Sequence, residues 1–296
     1  MTFFEKIKTF SNLVVLPHSV FALPFALAAL IVAVKKETGG LPSLRLFLLV
    51  VVAMFLARTA AMAYNRLMDA DVDAKNPRTK GREIPAGRIK AWQAKALVFV
   101  CGMGFVWTCS FINRLSFLFA TPVLIVLLLY SHTKRFTWMS HFFLGFALGI
   151  APAAAWVAAT GRLELTPLWL SAAVVCFVAG FDILYATQDE VFDKKEGLYS
   201  WVVKWGAGNA VYASRFLHIG MIGFLAGFAF FCGFPSSHYK FLGLVLAGLV
   251  YQHRMGYKTT GKGREARVVL SPKMMANNGW IAVLYLVAVA MTLWNK

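Results

Sequence analysis

The chain has 296 residues, of which 59% are hydrophobic and 15% are charged, and its mean hydropathy is +0.65. Soluble domains carry about 25% charged residues, so this composition argues against a soluble globular protein. The net charge is +17. No nucleic-acid partner is needed to explain it, because membrane topology accounts for where the basic residues lie.

Nine apolar runs are candidate membrane spans, since about 20 apolar residues cross a bilayer. They lie at residues 13–34, 44–65, 92–110, 115–131, 141–159, 167–185, 211–232, 239–256 and 278–294. No small-residue cleavage site follows the first run, so we interpret it as a span and not as a signal peptide. We predict an all-α integral membrane protein of about nine transmembrane helices that form one domain, residues 1–296.

The basic residues are distributed unevenly along the chain. If the N-terminus is cytoplasmic, most Lys and Arg residues fall in inner segments, including the clusters in 66–95 and 254–273. This asymmetry follows the positive-inside rule, and basic segments also attract anionic membrane lipid. We therefore predict a multi-pass protein of the cell inner membrane, whose N-terminus and two longest polar loops, 66–91 and 186–210, are cytoplasmic.

All six aspartates of the chain lie in two short segments. The first, 65–79, follows the second span, and the second, 182–193, begins in the sixth. Asp69 and Asp73 recur 120 residues later as Asp189 and Asp193. This offset suggests two four-helix repeats plus one extra helix, a kind of duplication that is common in membrane proteins. We expect a central cavity that opens to the cytoplasmic side.

The spacing within each segment places oxygen ligands on one helical face. Asn65, Asp69 and Asp73 follow one another at intervals of four residues, and such residues share a face. Carboxylates brought together repel one another unless a cation neutralises them. Mg²⁺ takes carboxylate oxygens and leaves positions for phosphate, so it would stabilise a diphosphate leaving group. The predicted metal ligands are Asn65, Asp69, Asp73, Asp189 and Asp193, and the predicted catalytic residues are Asp69, Asp73, Asp182, Asp189 and Asp193.

Two motifs resemble those of a known family. The segment NRLMDADVDAKNPRT is similar to the first aspartate motif of the UbiA superfamily of intramembrane prenyltransferases, and DILYATQDEVFD is similar to the second. The segments FALPFAL and YSHTKRFTW extend the resemblance. It implies Mg²⁺-dependent transfer of a polyprenyl group from polyprenyl diphosphate to an aromatic carboxylic acid in quinone biosynthesis.

The nearest subgroup is 4-hydroxybenzoate polyprenyltransferase, together with its relative in futalosine-pathway menaquinone synthesis. The acceptor is therefore expected to be 4-hydroxybenzoate or a dihydroxynaphthoate. In this mechanism, the hydroxyl of the acceptor would be held by Asp182, which would make the ring more nucleophilic.

The predicted substrate-binding residues fall into a diphosphate set and an acceptor set. Basic side chains beside the aspartates suit a diphosphate, and an arginine inside a span is expensive and usually functional. Arg58 would therefore pair with the acceptor carboxylate, unless it pairs with another helix. His18 would line the aromatic pocket, unless it only packs through hydrogen bonds. The complete set is Arg58, Asn65, Arg66, Arg78, Arg82, Lys134, Tyr185 and His18.

Two other classes of function remain possible from the sequence. A cation or solute transporter would place its ionisable residues near the membrane midplane, whereas these aspartates fall at the ends of spans. A phosphatidyltransferase of the CDP-alcohol type also uses paired aspartates, but its glycine-alanine-arginine pattern is not present in this sequence.

Overall fold

The protein is nearly all-helical in a computed structural model that describes residues 10, 12–13, 21–261 and 266–294. A 3₁₀ helix, Tyr130–Arg135, follows the fifth α-helix. The α-helices in chain order are α1 (Leu23–Thr38), α2 (Leu44–Met68), α3 (Ala70–Lys75), α4 (Ala91–Ser110), α5 (Arg114–Leu129), α6 (Ser140–Thr160), α7 (Thr166–Ala186), α8 (Glu190–Lys195), α9 (Trp201–Trp205), α10 (Ala207–Phe231), α11 (His238–Met255) and α12 (Met274–Trp294).

Within the described residues, seven helical segments are long and apolar enough to cross a membrane. The chain is thus a multi-span membrane protein, as predicted. Two of the nine predicted spans do not reach this level. The described part of the first is α1, with 16 residues, and the eighth is α11, whose polar ends, with Lys240 and Arg254, dilute its apolar middle. The count of nine and the four-helix repeats stay predictions.

A short β-hairpin departs from the all-α prediction. Strands β1 (Tyr257–Thr260) and β2 (Arg267–Leu270) pair antiparallel in a stretch that the sequence analysis treated only as basic and polar. Both strands are rich in β-branched residues, which favour extended structure, and Gly261 directly after β1 has a positive φ of 79°. Tyr257 and Val268 are buried.

The contacts divide the chain into two compact units. The first contains Leu44–His132 and the described residues before position 19, and the second contains residues 20–43 and 133–296. In the first unit, α2 packs on α4, and small side chains such as Ala53 and Ala57 meet Phe105. The prediction of one domain over 1–296 stays a prediction.

In the second unit, α7 packs between α6 and α10. Two glycines let α6 and α7 come close together, because a Cβ at Gly145 would lie 2.8 Å from the carbonyl oxygen of Val175, and one at Gly149 would lie 2.7 Å from its Cγ2. Small residues spaced four apart commonly permit such close approach between membrane helices. The buried side chains of α7, among them Phe177, fix this helix firmly, and its last turns carry the start of the second aspartate motif.

Candidate active site

The first aspartate motif continues the helical path of α2 into α3. The amide of Asp69 donates to the carbonyl of Asn65 at 2.9 Å, and that of Asp73 donates to the carbonyl of Asp69 at 2.7 Å. These i→i−4 bonds keep the three residues on one helical face, as their spacing predicted. The Asn65 side-chain Nδ2 also donates to Asp69 Oδ2 at 3.0 Å.

Asp73 is buried and forms an ion pair. Both of its carboxylate oxygens accept from Nη1 of Arg82 at 2.7 Å, and only 5% of the residue is exposed. Thr79 Oγ1 donates to the Asp73 carbonyl, and Asn76 Oδ1 accepts from the amide of Arg78. The loop after α3 therefore folds back and presents Arg82 to the motif. The side chain of Arg78 is exposed.

Two arginines of the first unit, Arg58 and Arg66, lie near Tyr130. The electrostatic neighbours of Tyr130 include Arg58, Asp69 and Arg66, so the intramembrane arginine and the first motif lie around one tyrosine. Among the described residues, the buried Nε of Arg66 has no hydrogen-bond partner. A buried donor of this kind suits a phosphate oxygen, since leaving it unsatisfied is costly.

The second aspartate motif has the same local geometry as the first. Asp189 occupies the N-cap position of α8 with φ −106° and ψ 4°, and Asp69 occupies that of α3 with φ −89° and ψ 0°; neither side chain bonds to its helix as a cap. The amide of Asp193 donates to the carbonyl of Asp189 at 2.7 Å, which repeats the bond from Asp73 to Asp69. Asp189 and Asp193 are both buried. Burial raises the pKa of the neighbouring Glu190 carboxyl, and Lys194 opposes this shift.

Asp182 forms a contact that the sequence analysis did not foresee. Its Oδ2 lies 2.6 Å from Nδ1 of His141, a fully buried residue at the start of α6. The antiparallel register set at Gly145 and Gly149 brings these residues together, because His141 lies one turn before Gly145 and Asp182 lies two turns after Val175. The GFALG spacing was the available signal for this helix contact.

Of the remaining predicted residues, Lys134 and Tyr185 lie within the described part of the chain, and one does not. Lys134 lies near Asp182, with which it interacts electrostatically, and its carbonyl accepts from the amide of Tyr199 at 2.8 Å. Tyr185 is half-buried on the last turn of α7. His18 lies outside the described residues.

Comparison with known proteins identifies the family. The chain matches the UbiA prenyltransferase family over residues 22–279. It belongs to this family. The enzyme class predicted from the two motifs, a membrane prenyltransferase, is thereby confirmed.

Individual relatives support the same assignment. The chain is 26% identical to a 4-hydroxybenzoate octaprenyltransferase of Shewanella halifaxensis over 98% of each chain. A second relative of the same name, from Shewanella pealeana, is 30% identical, but the match covers 60% of this chain and 61% of that protein.

Two solved UbiA homologues have the same fold. An apo structure from Aeropyrum pernix K1 superposes with a TM-score of 0.78 at 24% identity and covers 94% of this chain and 97% of that one. A structure from Archaeoglobus fulgidus bound to GPP and Mg²⁺ superposes with a TM-score of 0.74 at 20% identity and covers 97% and 99%.

The donor set of this UbiA family member fits a Mg²⁺ ion that also binds phosphate oxygens. Among the described residues, no group of three or more His, Cys, Asp or Glu side chains lies close enough together to hold a metal alone. The first motif supplies the carboxylates of Asp69 and Asp73 and the amide oxygen of Asn65, and the second supplies those of Asp189 and Asp193. Mg²⁺ is usually bound by one or two carboxylates, with water and substrate phosphate oxygens as its other ligands, so the residues present suit a metal that arrives with a diphosphate.

Proposed function

We propose that the protein transfers a polyprenyl group from polyprenyl diphosphate to 4-hydroxybenzoate or a similar aromatic acid, with Mg²⁺, in quinone biosynthesis. The observation that carries this proposal is the repeated geometry of the motifs, in which Asp69 and Asp189 each stand at the N-cap position of a six-residue helix that contains a buried aspartate. The names of the relatives support the reaction.

At the diphosphate end, each motif would hold a magnesium ion of the substrate. The ligands are Asn65, Asp69 and Asp73 in the first motif and Asp189 and Asp193 in the second. When bound, magnesium neutralises the charge that develops on the leaving diphosphate. Basic residues then supply further hydrogen bonds to its oxygens. These residues are Arg66, Arg78, Arg82 and Lys134.

The reaction exchanges one bond of the donor for a new carbon–carbon bond. The bond between the allylic carbon and the diphosphate oxygen breaks, and the diphosphate leaves with the electron pair. The ring carbon ortho to the hydroxyl attacks the allylic cation, and the ring proton then passes to the released diphosphate, which restores aromaticity. The apolar helices exclude water, which disfavours hydrolysis of the cation.

At the acceptor end, Arg58 would pair with the carboxylate and Asp182 would accept a hydrogen bond from the hydroxyl. An ionised Asp182 raises the electron density of the ring through this bond. His18 would line the same pocket, with Tyr185 as a further substrate contact. A dihydroxynaphthoate is the second candidate acceptor. Like 4-hydroxybenzoate, it has a carboxylate and a hydroxyl that activates the neighbouring ring carbons. The protein would lie in the cell inner membrane with its N-terminus and motif loops cytoplasmic.

The test is direct transfer in isolated membranes. Membranes that contain the protein are incubated with Mg²⁺, labelled prenyl diphosphate and either 4-hydroxybenzoate or 1,4-dihydroxy-naphthoate. Labelled 4-hydroxybenzoate that carries the prenyl group on its ring supports the proposal, and product from the naphthoate alone supports the second acceptor. If no acid is prenylated while reconstituted vesicles take up cations, the protein is a transporter. The Asp182→Ala variant should lose transfer and still bind prenyl diphosphate; unchanged turnover would remove Asp182 from the mechanism.

A further inference from the structure

We propose that His141 is a positioning residue for the prenyl transfer. As a neutral imidazole, it holds the carboxylate of Asp182 and links it to the chain that follows the second aspartate motif. This inference deepens the proposed function and rests on it, since Asp182 is assigned there to the aromatic acceptor.

The contacts of His141 fix which ring nitrogen carries the proton. Its Nε2 lies 3.2 Å from the backbone nitrogen of Trp201 and accepts a hydrogen bond from that N–H. A backbone N–H can only donate, so Nε2 carries no proton. A neutral imidazole then has its proton on Nδ1, and this N–H donates to Oδ2 of Asp182 at 2.6 Å. Asp182 is thus the acceptor, as an ionised carboxylate.

Two consequences for the reaction follow from this arrangement. Protonation of His141 would place an N–H on Nε2 against the N–H of Trp201, so the ring is unsuited to take up the proton released by the aromatic acceptor. The bond to Nδ1 engages Oδ2 of Asp182, so that Oδ1 is the oxygen to be offered to the acceptor hydroxyl. His141 therefore orients the carboxylate and takes no part in proton transfer.

Trp201, whose backbone N–H donates to His141, belongs to a cluster of three tryptophan rings. The ring of Trp201 lies 5.6 Å from that of Trp138 and 4.2 Å from that of Trp205, between centroids. The ammonium of Lys204 lies over two of these rings, at 4.4 Å from Trp138 and 4.5 Å from Trp205. None of the His141 side chain is exposed. In such surroundings a hydrogen bond to a carboxylate is stronger than in water.

The same short segment also contacts two other predicted site residues. The amide of Leu198 donates to the carbonyl of Asp193, and that of Tyr199 donates to the carbonyl of Lys134, both at 2.8 Å. Three amides in residues 198–201 therefore tie together a predicted metal ligand, a predicted diphosphate ligand and His141. A shift of this segment at the diphosphate end would be transmitted to Asp182 through His141.

Two substitutions separate the bonds of His141. The amide nitrogen of Asn can occupy the position of Nδ1, so His141→Asn retains a donor to Asp182 and loses the acceptor for Trp201. The longer Gln reaches the position of Nε2, so His141→Gln retains the acceptor and loses the donor. We expect His141→Gln to lower kcat/KM for the aromatic acid by about 10-fold or more, and His141→Asn by less than about 3-fold, because a hydrogen bond to a charged group is lost only in the first. KM for the prenyl diphosphate should stay unchanged in both.

A merely structural role would reverse this order. If His141 only anchors Trp201, His141→Gln would be the more active and the more heat-stable variant, and that result would overturn the inference. Equal losses in both variants, at full stability, would overturn it as well.

A spectroscopic measurement on the unmodified chain tests the tautomer independently of the Gln variant. In protein labelled with ¹⁵N-histidine, the signals that disappear in His141→Asn should be those of a neutral ring protonated on Nδ1. A ring protonated on Nε2, or on both nitrogens, would contradict the inference. The spectrum does not depend on enzyme activity. Absence of any prenylated product would refute the proposed function, whereas the wrong tautomer would refute the hydrogen bond from His141 to Asp182.

Discussion

Arg82 donates to both carboxylate oxygens of the buried Asp73, at 2.7 Å each. A buried carboxylate without a counter-charge would cost several kcal/mol, so this pair stabilises the first motif when no other cation is bound. Under the proposed function, a magnesium ion bound at Asp73 would supply this counter-charge instead. Arg82 would then be free to donate to the diphosphate.

Replacement of Arg82 should weaken binding of the prenyl diphosphate. We expect Arg82→Gln to raise KM for this substrate by about 10-fold or more, because a charge-assisted hydrogen bond to a phosphate oxygen is lost. KM for the aromatic acid should not change. The matched control is Arg88→Gln in the same loop, since Arg88 is more exposed and pairs with Glu83 at 3.4 Å. Equal effects of the two substitutions would show that Arg82 does not contact the substrate.

Replacement of Arg58 should change the choice of acceptor. We expect Arg58→Ala to lower kcat/KM for 4-hydroxybenzoate by about 10-fold or more, since a buried charged hydrogen bond to the carboxylate is lost. Phenol, which has no carboxylate, should react equally well with both enzymes. Competition between the two acceptors measures this preference. Arg45→Ala is the control, because Arg45 is an exposed residue at the start of α2; an unaltered preference in Arg58→Ala would place the acceptor elsewhere.

The close approach of α6 and α7 should be sensitive to a single methyl group. A Cβ at Gly145 would lie 2.8 Å from the Val175 carbonyl oxygen, whereas a Cβ at Gly223 on α10 would meet no atom within 4 Å. We expect Gly145→Ala to destabilise the protein by about 1 to 3 kcal/mol through overpacking, and to lower transfer because His141 moves relative to Asp182. Gly223→Ala should be neutral. Thermal inactivation in detergent compares the two, and equal midpoints would contradict the described helix contact.

The sequence predicts the helices better than it predicts their contacts. Apolar length locates α2 and α7 within a few residues of their bounds, because burial in lipid requires such runs. Spacing likewise predicts the shared face of Asn65, Asp69 and Asp73, since this geometry is local. The β-hairpin was missed because its short strands lie in a basic stretch that was read by charge alone.

Contacts between distant residues depend on packing that no local pattern encodes. Asp182 and His141 are 41 residues apart, and their hydrogen bond depends on the register between two helices. The interpretation of Arg82 was incomplete for the same kind of reason. Its charge suggested a diphosphate partner, but only the fold of the loop shows that it also neutralises Asp73.

In the proposed function, the aspartate motifs bind Mg²⁺, and the bound metal promotes release of the diphosphate. The most direct measurement is labelled prenyl transfer to 4-hydroxybenzoate after chelation and stepwise return of Mg²⁺, in wild type, Asp69→Asn and Asp71→Asn. Asp71 lies in the same motif but is exposed, so it matches the charge change without the proposed role. We predict that wild type and Asp71→Asn are inactive without Mg²⁺ and recover together, while Asp69→Asn stays about 100-fold or more below them. Transfer that persists under chelation, or equal activity of the two variants, would contradict a role of Asp69 as a magnesium ligand.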